Sequence, residues 1–352
     1  MRIAITGATG NVGTALLRRL AGESDIELVG IARRPPPDEA GAPYAGVRWY
    51  ALDLGEPDNL PRLTDALRGV DAVVHLAWQI QPSHRRVLLR RTNLTGTRHL
   101  LRAIDEAGVG TLAYASSFGA YAQGPKDRRV TESWPATGIS GSGYSTDKAA
   151  VEALLDGVEH DHPELRIVRM RQALVFQRDA GAQIRRHFIG RIVPVGWLGS
   201  GRLPIIPRNK RLRAQAVHAD DLAEAYVQAL RSDREGAFNI AGEPVLDGPV
   251  LAQELGGRSI PVPIFLLRML AKAAWRLRLL PTEPGWIDLT AGVPLMDCSR
   301  AEQELGWRPR HDAREAVRDV LGGIAVGAGT SSTVLRPDRR AASEPRRRPA
   351  TS

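Results

Sequence analysis

Tyr144 and Lys148, in the stretch GSGYSTDKAAVEALL over 141–155, have the types and spacing of a proton-transfer pair. Four residues apart on a helix, their side chains share one face. A tyrosine with its ordinary pKa near ~10 is a poor base at neutral pH, and a neighbouring ammonium favours the phenolate and lowers that value. Composition sharpens the pairing. Lysine and arginine total 48, and only Lys126, Lys148, Lys210 and Lys272 are lysines, which leaves 48 − 4 = 44 arginines. With 6 tyrosines in 352 residues, chance supplies the spacing about 6 × 4/352, roughly 0.07, times. Wherever any cation serves, this chain uses arginine, so Lys148 marks a position where a planar guanidinium would fail.

Moving a hydroxyl proton also needs a group that hydrogen-bonds the reacting oxygen. YASSFGAY offers Ser116 and Ser117 at the end of an apolar run, on the edge where doubly wound sheets bind ligands. The third piece is TGATGNVG over 6–13, which follows the first apolar run and opens the first helix. Its Gly7, Gly10 and Gly13 let the backbone turn tightly and approach a pyrophosphate, with the free N–H groups and positive helix end facing the anion. A dinucleotide follows, and Lys148 gains a task, because its compact head suits the hydroxyls of the nicotinamide ribose. Arg33 stands beside Arg34 in GIARRPPP, with no acid before Asp38. A guanidinium there grips a 2′-phosphate that a carboxylate would repel, so NADP is preferred over NAD. Asp53 in ALDL is placed either to meet the adenine amino group or to cap a turn.

These groups need a scaffold that brings strand ends together. Short apolar runs at 2–6, 26–32, 47–52, 71–77, 111–116 and 166–170 alternate with helical patterns at 11–21, 57–67, 86–107 and 144–157. Buried strands separated by helices predict an α/β fold with a doubly wound parallel sheet. After residue 170 the alternation breaks down. A Gly- and Pro-punctuated stretch (190–209) leads to AVHADDLAEAYVQAL, a strand and helix expected to rejoin the sheet, and 243–324 supplies helices and turns. The division expected is a dinucleotide domain from 1–170 plus 212–242, a substrate-binding lobe from 171–211 plus 243–324, and a disordered basic tail over 325–352. That tail is rich in Gly, Ser, Pro and Arg and carries six Arg against one Asp and one Glu.

TGATGNVG, ALDL, HLAW, NLTGT, ASSFGAY, YSTDK and AVHADDLA, in this order, resemble the extended short-chain dehydrogenase/reductases, the NAD-dependent epimerase/dehydratase group. The likeness covers 1–245 clearly and 246–310 loosely. It implies a Rossmann-type domain with a smaller carboxyl-terminal substrate lobe, and commonly a homodimer through helices 86–107 and 144–157. By motif position it implies Ser117 as the catalytic serine, four before Tyr121, with Tyr144 as general acid/base and Lys148 as its lysine. Around the cofactor the same motifs imply Gly7, Thr9, Gly10, Asn11, Val12 and Gly13 in the loop, Arg33, Asp53 and Leu54, then Leu76, Ala77 and Asn93. Asn93 has local backbone satisfaction as its alternative role.

The reaction expected is hydride transfer at a hydroxyl or ketone carbon, an NAD(P)-dependent oxidoreductase. The alternatives are a sugar epimerase or dehydratase with tightly held NAD and, further off, a non-catalytic dinucleotide sensor. Nucleotide-sugar members usually carry an arginine four before the His of the VHADD-type motif, where this chain has Ala214, with Arg213 one residue off. Gln172 stands where many members have proline. Both departures weaken a nucleotide-sugar substrate, although Arg185, Arg186, Arg191, Arg208 and Arg211 offer phosphate contacts. Trp197, Trp275, Trp286 and Phe265 suit either a core or a less polar substrate.

His75 reads as a packed strand-end residue, and Asp220 and Asp221 after His218 as a helix start, so no metal is expected. One cysteine, Cys298, excludes an intrachain disulfide framework, and the start MRIAITGATG runs straight into a strand, which together suggest the cytoplasm. The net charge of +9 is partly the tail's +4, leaving 9 − 4 = +5 elsewhere. No aromatics interleave the tail arginines, so a nucleic-acid partner is not expected. No apolar run reaches the ~18 residues of a span. FLLRMLAKAAWRLRLL (265–280) could sit on an anionic membrane surface, but the expectation is an amphipathic helix packed on the body, with no membrane partner.

Overall fold

The computed structural model describes residues 1–81, 83–190 and 205–338. Its centre is a seven-stranded sheet: β1 (Arg2–Thr6), β2 (Glu27–Ala32), β3 (Arg48–Ala51), β4 (Ala72–His75), β5 (Thr111–Tyr114), β7 (Arg166–Gln172) and β11 (Gly236–Ile240). The strand order is β11-β7-β5-β4-β1-β2-β3, and every neighbouring pair is parallel. Such a sheet is buried on both faces, which is why β1, β2 and β4 read as unbroken apolar runs rather than alternations. Helices α1 (Asn11–Leu20) and α7 (Ala219–Arg231) pack together over one face, around Ile5, Leu16, Tyr226 and Phe238. On the other face α2 (Leu60–Leu67), α4 (Gly96–Ala107) and α5 (Gly143–Asp161) enclose Val29, Leu63, Leu100 and Val151. The α/β fold with a Rossmann-type parallel sheet and a smaller carboxyl-terminal lobe is therefore the one observed.

Two elements differ from the sequence expectation. The strand over 214–218 does not rejoin the large sheet. As β10 (Ala214–His218) it pairs with β8 (Leu174–Phe176) and β12 (Gly242–Leu246) in a separate three-stranded sheet. The large sheet is completed instead by β11, whose Phe238, Asn239 and Ile240 are buried but lie in a short run bounded by Gly236 and Gly242. The helix expected over 86–107 is also broken. Between α3 (Arg86–Arg90) and α4 lies a π turn over Arg91–Thr95.

The carboxyl-terminal segment departs further. Helix α12 (Ala313–Val326) opens with a capping box between Asp312 and Glu315 and ends at Gly327, whose φ of +63° turns the chain back. Residues 328–338, expected to be disordered, fold as a strap beside the glycine loop. Ser332 Oγ donates to Thr9 O at 2.9 Å, and Thr330 Oγ1 meets Tyr44 OH at 2.7 Å. Arg185 pairs with Asp338 at 2.8 Å, and Arg186 donates to the carbonyls of Arg336 and Val334. Composition misled here because one fully buried leucine, Leu335, and one buried serine anchor an otherwise polar segment. The rest of the expected tail, 339–352, lies outside the described residues, as do Arg191 and Trp197.

Helix α9 (Ile264–Arg276) was expected to pack on the body, yet none of its residues is buried. One side, with Leu267, Ala271 and Trp275, is half-buried against the body, where Trp275 stacks on His84 at 4.1 Å and donates to Ser83 Oγ.

Candidate active site

The glycine loop is fixed by contacts that no side chain could share. Gly7 has φ +69°, and a Cβ there would stand 2.7 Å from Ala77 N. A Cβ on Gly13 would stand 2.5 Å from Gly7 O. So Gly7 lets the loop lie against the end of β4, and Gly13 lets α1 start tight against it. Gly10 is the N-cap of α1 and supplies no side-chain cap, leaving the first-turn N–H groups for an anion. Leu76 and Ala77 border the loop through bonds to Thr6. Val12 is partly buried against the core, and Asn11 is tied to the far side, donating to Val175 O and accepting from Gln177. Thr9 is buried under the strap.

Arg33 and Arg34 are exposed at the end of β2, and neither forms an ion pair among the described residues. Asp53 is engaged locally: one carboxylate oxygen accepts from Gly55 N at 3.0 Å, and the other lies 3.5 Å from Arg91. Leu54 is buried beneath α4. Asn93 sits in the π turn and clamps the backbone of Gln79, accepting from its N–H at 2.8 Å and donating to its carbonyl at 2.9 Å. This is the local backbone role, and it fixes the segment after Trp78.

The hydroxyl pair stands at the carboxyl edge of β5. Ser117 caps a 3₁₀ turn over Phe118–Ala120, and its Oγ accepts from Gly119 N at 3.0 Å. Tyr144 enters from the first turn of α5, which Ser142 caps. The two approach closely because Gly119 has no side chain: a Cβ there would lie 2.8 Å from Tyr144 Cε1 and 3.3 Å from Ser117 Oγ. Burial pushes the Tyr144 phenol up to about 12, while a hydrogen bond with Ser117 pulls it down. Ser116 points elsewhere, donating to the buried Glu152 carboxylate, which Arg169 and Arg171 also hold.

Lys148 is buried behind the pair. Its Nζ donates to Ala115 O at 2.5 Å and to Tyr114 OH at 3.3 Å, and lies 3.6 Å from the Trp78 ring centre. Burial disfavours its charged form, against the pull of Glu152. The downward influence on Tyr144 therefore comes from Ser117 rather than from a nearby ammonium. Trp78 and Trp286 pack against the Tyr144 ring at 6.1 and 5.1 Å; sequence reasoning offered Trp286 only as core or substrate lining, and missed Trp78 and Gly119. Trp78 stood in the quoted HLAW, and Gly119 in ASSFGAY.

His75 is buried between Thr6 and Thr97, and desolvation lowers its pKa to about 3, so it is a neutral packing residue. His218 caps α7 by accepting from Asp220 N. Among the described residues no acidic or histidine cluster is suited to a metal.

A cavity of about 580 Å³ has a lining that includes Lys126, Asp127, Arg208, Lys210, Arg211, Arg213, Asp247 and Ala291. Ala291 belongs to α10 (Gly285–Gly292), the helix whose Trp286 packs on Tyr144. The two are five residues, about 7.5 Å, apart along that helix. Ala214 packs in the apolar cluster of Phe118, Tyr121 and Trp286, whereas Arg213, one residue earlier, faces the cavity. Of the other arginines expected to offer phosphate contacts, Arg185 and Arg186 hold the strap.

A family model described as the NAD dependent epimerase/dehydratase family matches residues 3–241. An uncharacterised protein of Mycobacterium tuberculosis is 27% identical over 94% of this chain, which spans only 31% of that relative's length. A dTDP-6-deoxy-L-talose 4-dehydrogenase (NAD(P)(+)) of Kitasatospora kifunensis is 26% identical, with 91% of this chain and 94% of the relative covered. Among solved structures, the UDP-glucose 4-epimerase of Thermus thermophilus in complex with NAD superposes with a TM-score of 0.67 at 22% identity, covering 92% of this chain and 99% of that one.

Proposed function

The chain belongs to the NAD dependent epimerase/dehydratase family, a family of enzymes, and on that premise we propose that it is an NADP-dependent oxidoreductase acting at a hydroxyl or ketone carbon. The observation that carries the reading is the Ser117–Tyr144 pair, closed across Gly119 at the sheet edge next to the glycine loop. The loop fits a dinucleotide, since the positions where its backbone must come close are ones that a Cβ would block. The first-turn N–H groups of Asn11, Val12 and Gly13 would hold the pyrophosphate, and Arg33 would hold a 2′-phosphate. When bound, the nicotinamide supplies or accepts the hydride.

The remaining steps belong to the chain. Ser117 hydrogen-bonds the substrate oxygen and Tyr144 moves its proton. A phenol pushed up to about 12 is protonated at neutral pH, which suits donation to a carbonyl oxygen, the reducing direction. Trp78 and Trp286 hold the phenol in place and exclude water around it, and the buried Lys148 lies against the Trp78 ring.

A second reading is an epimerase or dehydratase acting on a nucleotide sugar. It is supported by the cavity that α10 connects to the pair, where five cationic side chains outnumber Asp127 and Asp247 and suit a diphosphate. Native mass spectrometry of the purified chain, followed by titration with NADPH and NADH, separates the two. The oxidoreductase reading expects a site that exchanges its dinucleotide and prefers NADPH, and that loses the preference in Arg33→Ala. Stoichiometric NAD surviving purification favours the second reading. For either, Tyr144→Phe should lower turnover by at least about 10²-fold while dinucleotide binding persists. Unchanged turnover would overturn both.

A further inference from the structure

We infer that the surface formed by helix α9 and its flanks docks on an anionic lipid bilayer. Six of the ten exposed large hydrophobic residues among those described fall between 260 and 279: Ile260, Phe265, Met269, Leu270, Leu277 and Leu279. Phe265 is 72% exposed and Leu277 69%. Taking 100° per residue from Phe265, the series Phe265, Met269, Ala273, Leu277 and Leu270 covers an arc of about 140°. Arg268 and Lys272 lie just beyond one edge of that arc, and Arg276 lies within it between Phe265 and Met269. The opposite side, with Leu267, Ala271 and Trp275, faces the body and is half-buried.

The charge pattern selects the partner. From 256 to 282 the chain has five cations, Arg258, Arg268, Lys272, Arg276 and Arg278, and no Asp or Glu. Arg268 pairs with Asp288 at 2.8 Å, and the other four form no ion pair among the described residues. A protein–protein interface of this size would be depleted of lysine at its centre, whereas here Lys272 sits midway along the helix. Apolar side chains on one arc, with long cations beside them whose stems can lie along the surface, are what an interfacial helix presents to phospholipid headgroups. No helix among the described residues is long and apolar enough to cross a membrane, and lying on one requires only this face.

The test is co-sedimentation of the full chain with vesicles of phosphatidylcholine alone or with 30% phosphatidylglycerol, at low and high salt. Binding to the anionic vesicles, much weaker on phosphatidylcholine and reduced by salt, is the expected result. Each surface cation is worth about fivefold, so Lys272→Gln with Arg276→Gln should weaken binding about 25-fold. Phe265→Ser with Met269→Ser should weaken it without altering NADPH titration, which monitors the fold. Equal binding to both vesicle types overturns the inference. So does wild-type binding by both double variants, which would place the contact in the arginine-rich carboxyl terminus. A change in the lipid-free oligomeric state caused by Phe265→Ser with Met269→Ser would overturn it too, by making this face an interface between copies of the chain.

Discussion

Gly119→Ala is the sharpest test of how the hydroxyl pair is assembled. The new Cβ would stand 2.8 Å from Tyr144 Cε1 and 3.2 Å from Cδ1. Ordinary contact begins near 3.4 Å, so the ring must retreat by 3.4 − 2.8 = 0.6 Å. It has little room, because Trp78 and Trp286 pack on it and α5 fixes its backbone. The same Cβ would lie 3.3 Å from Ser117 Oγ, so both hydroxyls shift. A displacement approaching 1 Å at a reacting group costs about 10²-fold, and 0.6 Å on two groups predicts a loss of roughly 10- to 100-fold in kcat/KM. The assay pairs turnover, on the best substrate from a panel of secondary alcohols, ketones and nucleotide sugars, with NADPH titration and a denaturation curve. Dinucleotide binding should stay close to wild type, because the glycine loop is untouched, while overpacking at the ring should lower stability by about 1–3 kcal/mol. Full turnover in Gly119→Ala would refute the close approach of Ser117 and Tyr144 as the working geometry.

Two further perturbations probe charge. Burial, with Arg213 nearby, lowers the Lys126 amine to about 7, so its ammonium contributes to the cavity at pH 6 and is largely lost at pH 8; over that interval the ratio of wild-type to Lys126→Met pyrophosphate affinity should fall about tenfold, and a ratio that does not change with pH would refute this. Glu152→Gln leaves the buried Arg169 and Arg171 without their shared carboxylate and should cost about 3–5 kcal/mol by urea unfolding. Burial pushes the Glu152 carboxyl up, but Arg171, Ser116 and Arg169 together hold it below its ordinary value. The stability it contributes is therefore full at neutral pH and lost as pH falls below the ordinary glutamate range, a dependence that should be missing from the variant.

Much of this scaffold was legible in the sequence because two-sided burial leaves a plain mark. Six of the seven strands of the large sheet are apolar runs between helical patterns, and the glycines of TGATGNVG announce a turn that no side chain permits. What stayed hidden depended on tertiary partners. β11 opens with Gly236 and contains Asn239, so its place beside β7 comes from pairing rather than propensity. The strap over 328–338 has a disordered composition, and only the position of Leu335 and Ser332 against the loop makes it fold. At the site, residue type offered Ser116 or Ser117 beside Tyr144, and the family resemblance chose Ser117. It could not reveal that Ser116 is drawn away by Glu152, or that Asn93 is occupied with Gln79.

The scarcity of lysine reaches further than the motif that made it noticeable. Lys210 and Lys272 are exposed, whereas Lys148 is buried and Lys126 half-buried, each with two oxygen acceptors. Lys148 donates to one carbonyl and one hydroxyl under an indole ring; Lys126 donates to the carbonyls of Arg213 and Thr290, both at 2.7 Å. Two acceptors satisfy most of an ammonium. A guanidinium brings five N–H donors in a rigid plane, so about three would be buried without partners, at about 1–3 kcal/mol each. In a chain that writes arginine wherever it can, a lysine at such a position is there because of the acceptors around it. By that argument Lys126, which no motif marks, is constrained by its acceptors as Lys148 is, and it places a titratable cation at the cavity.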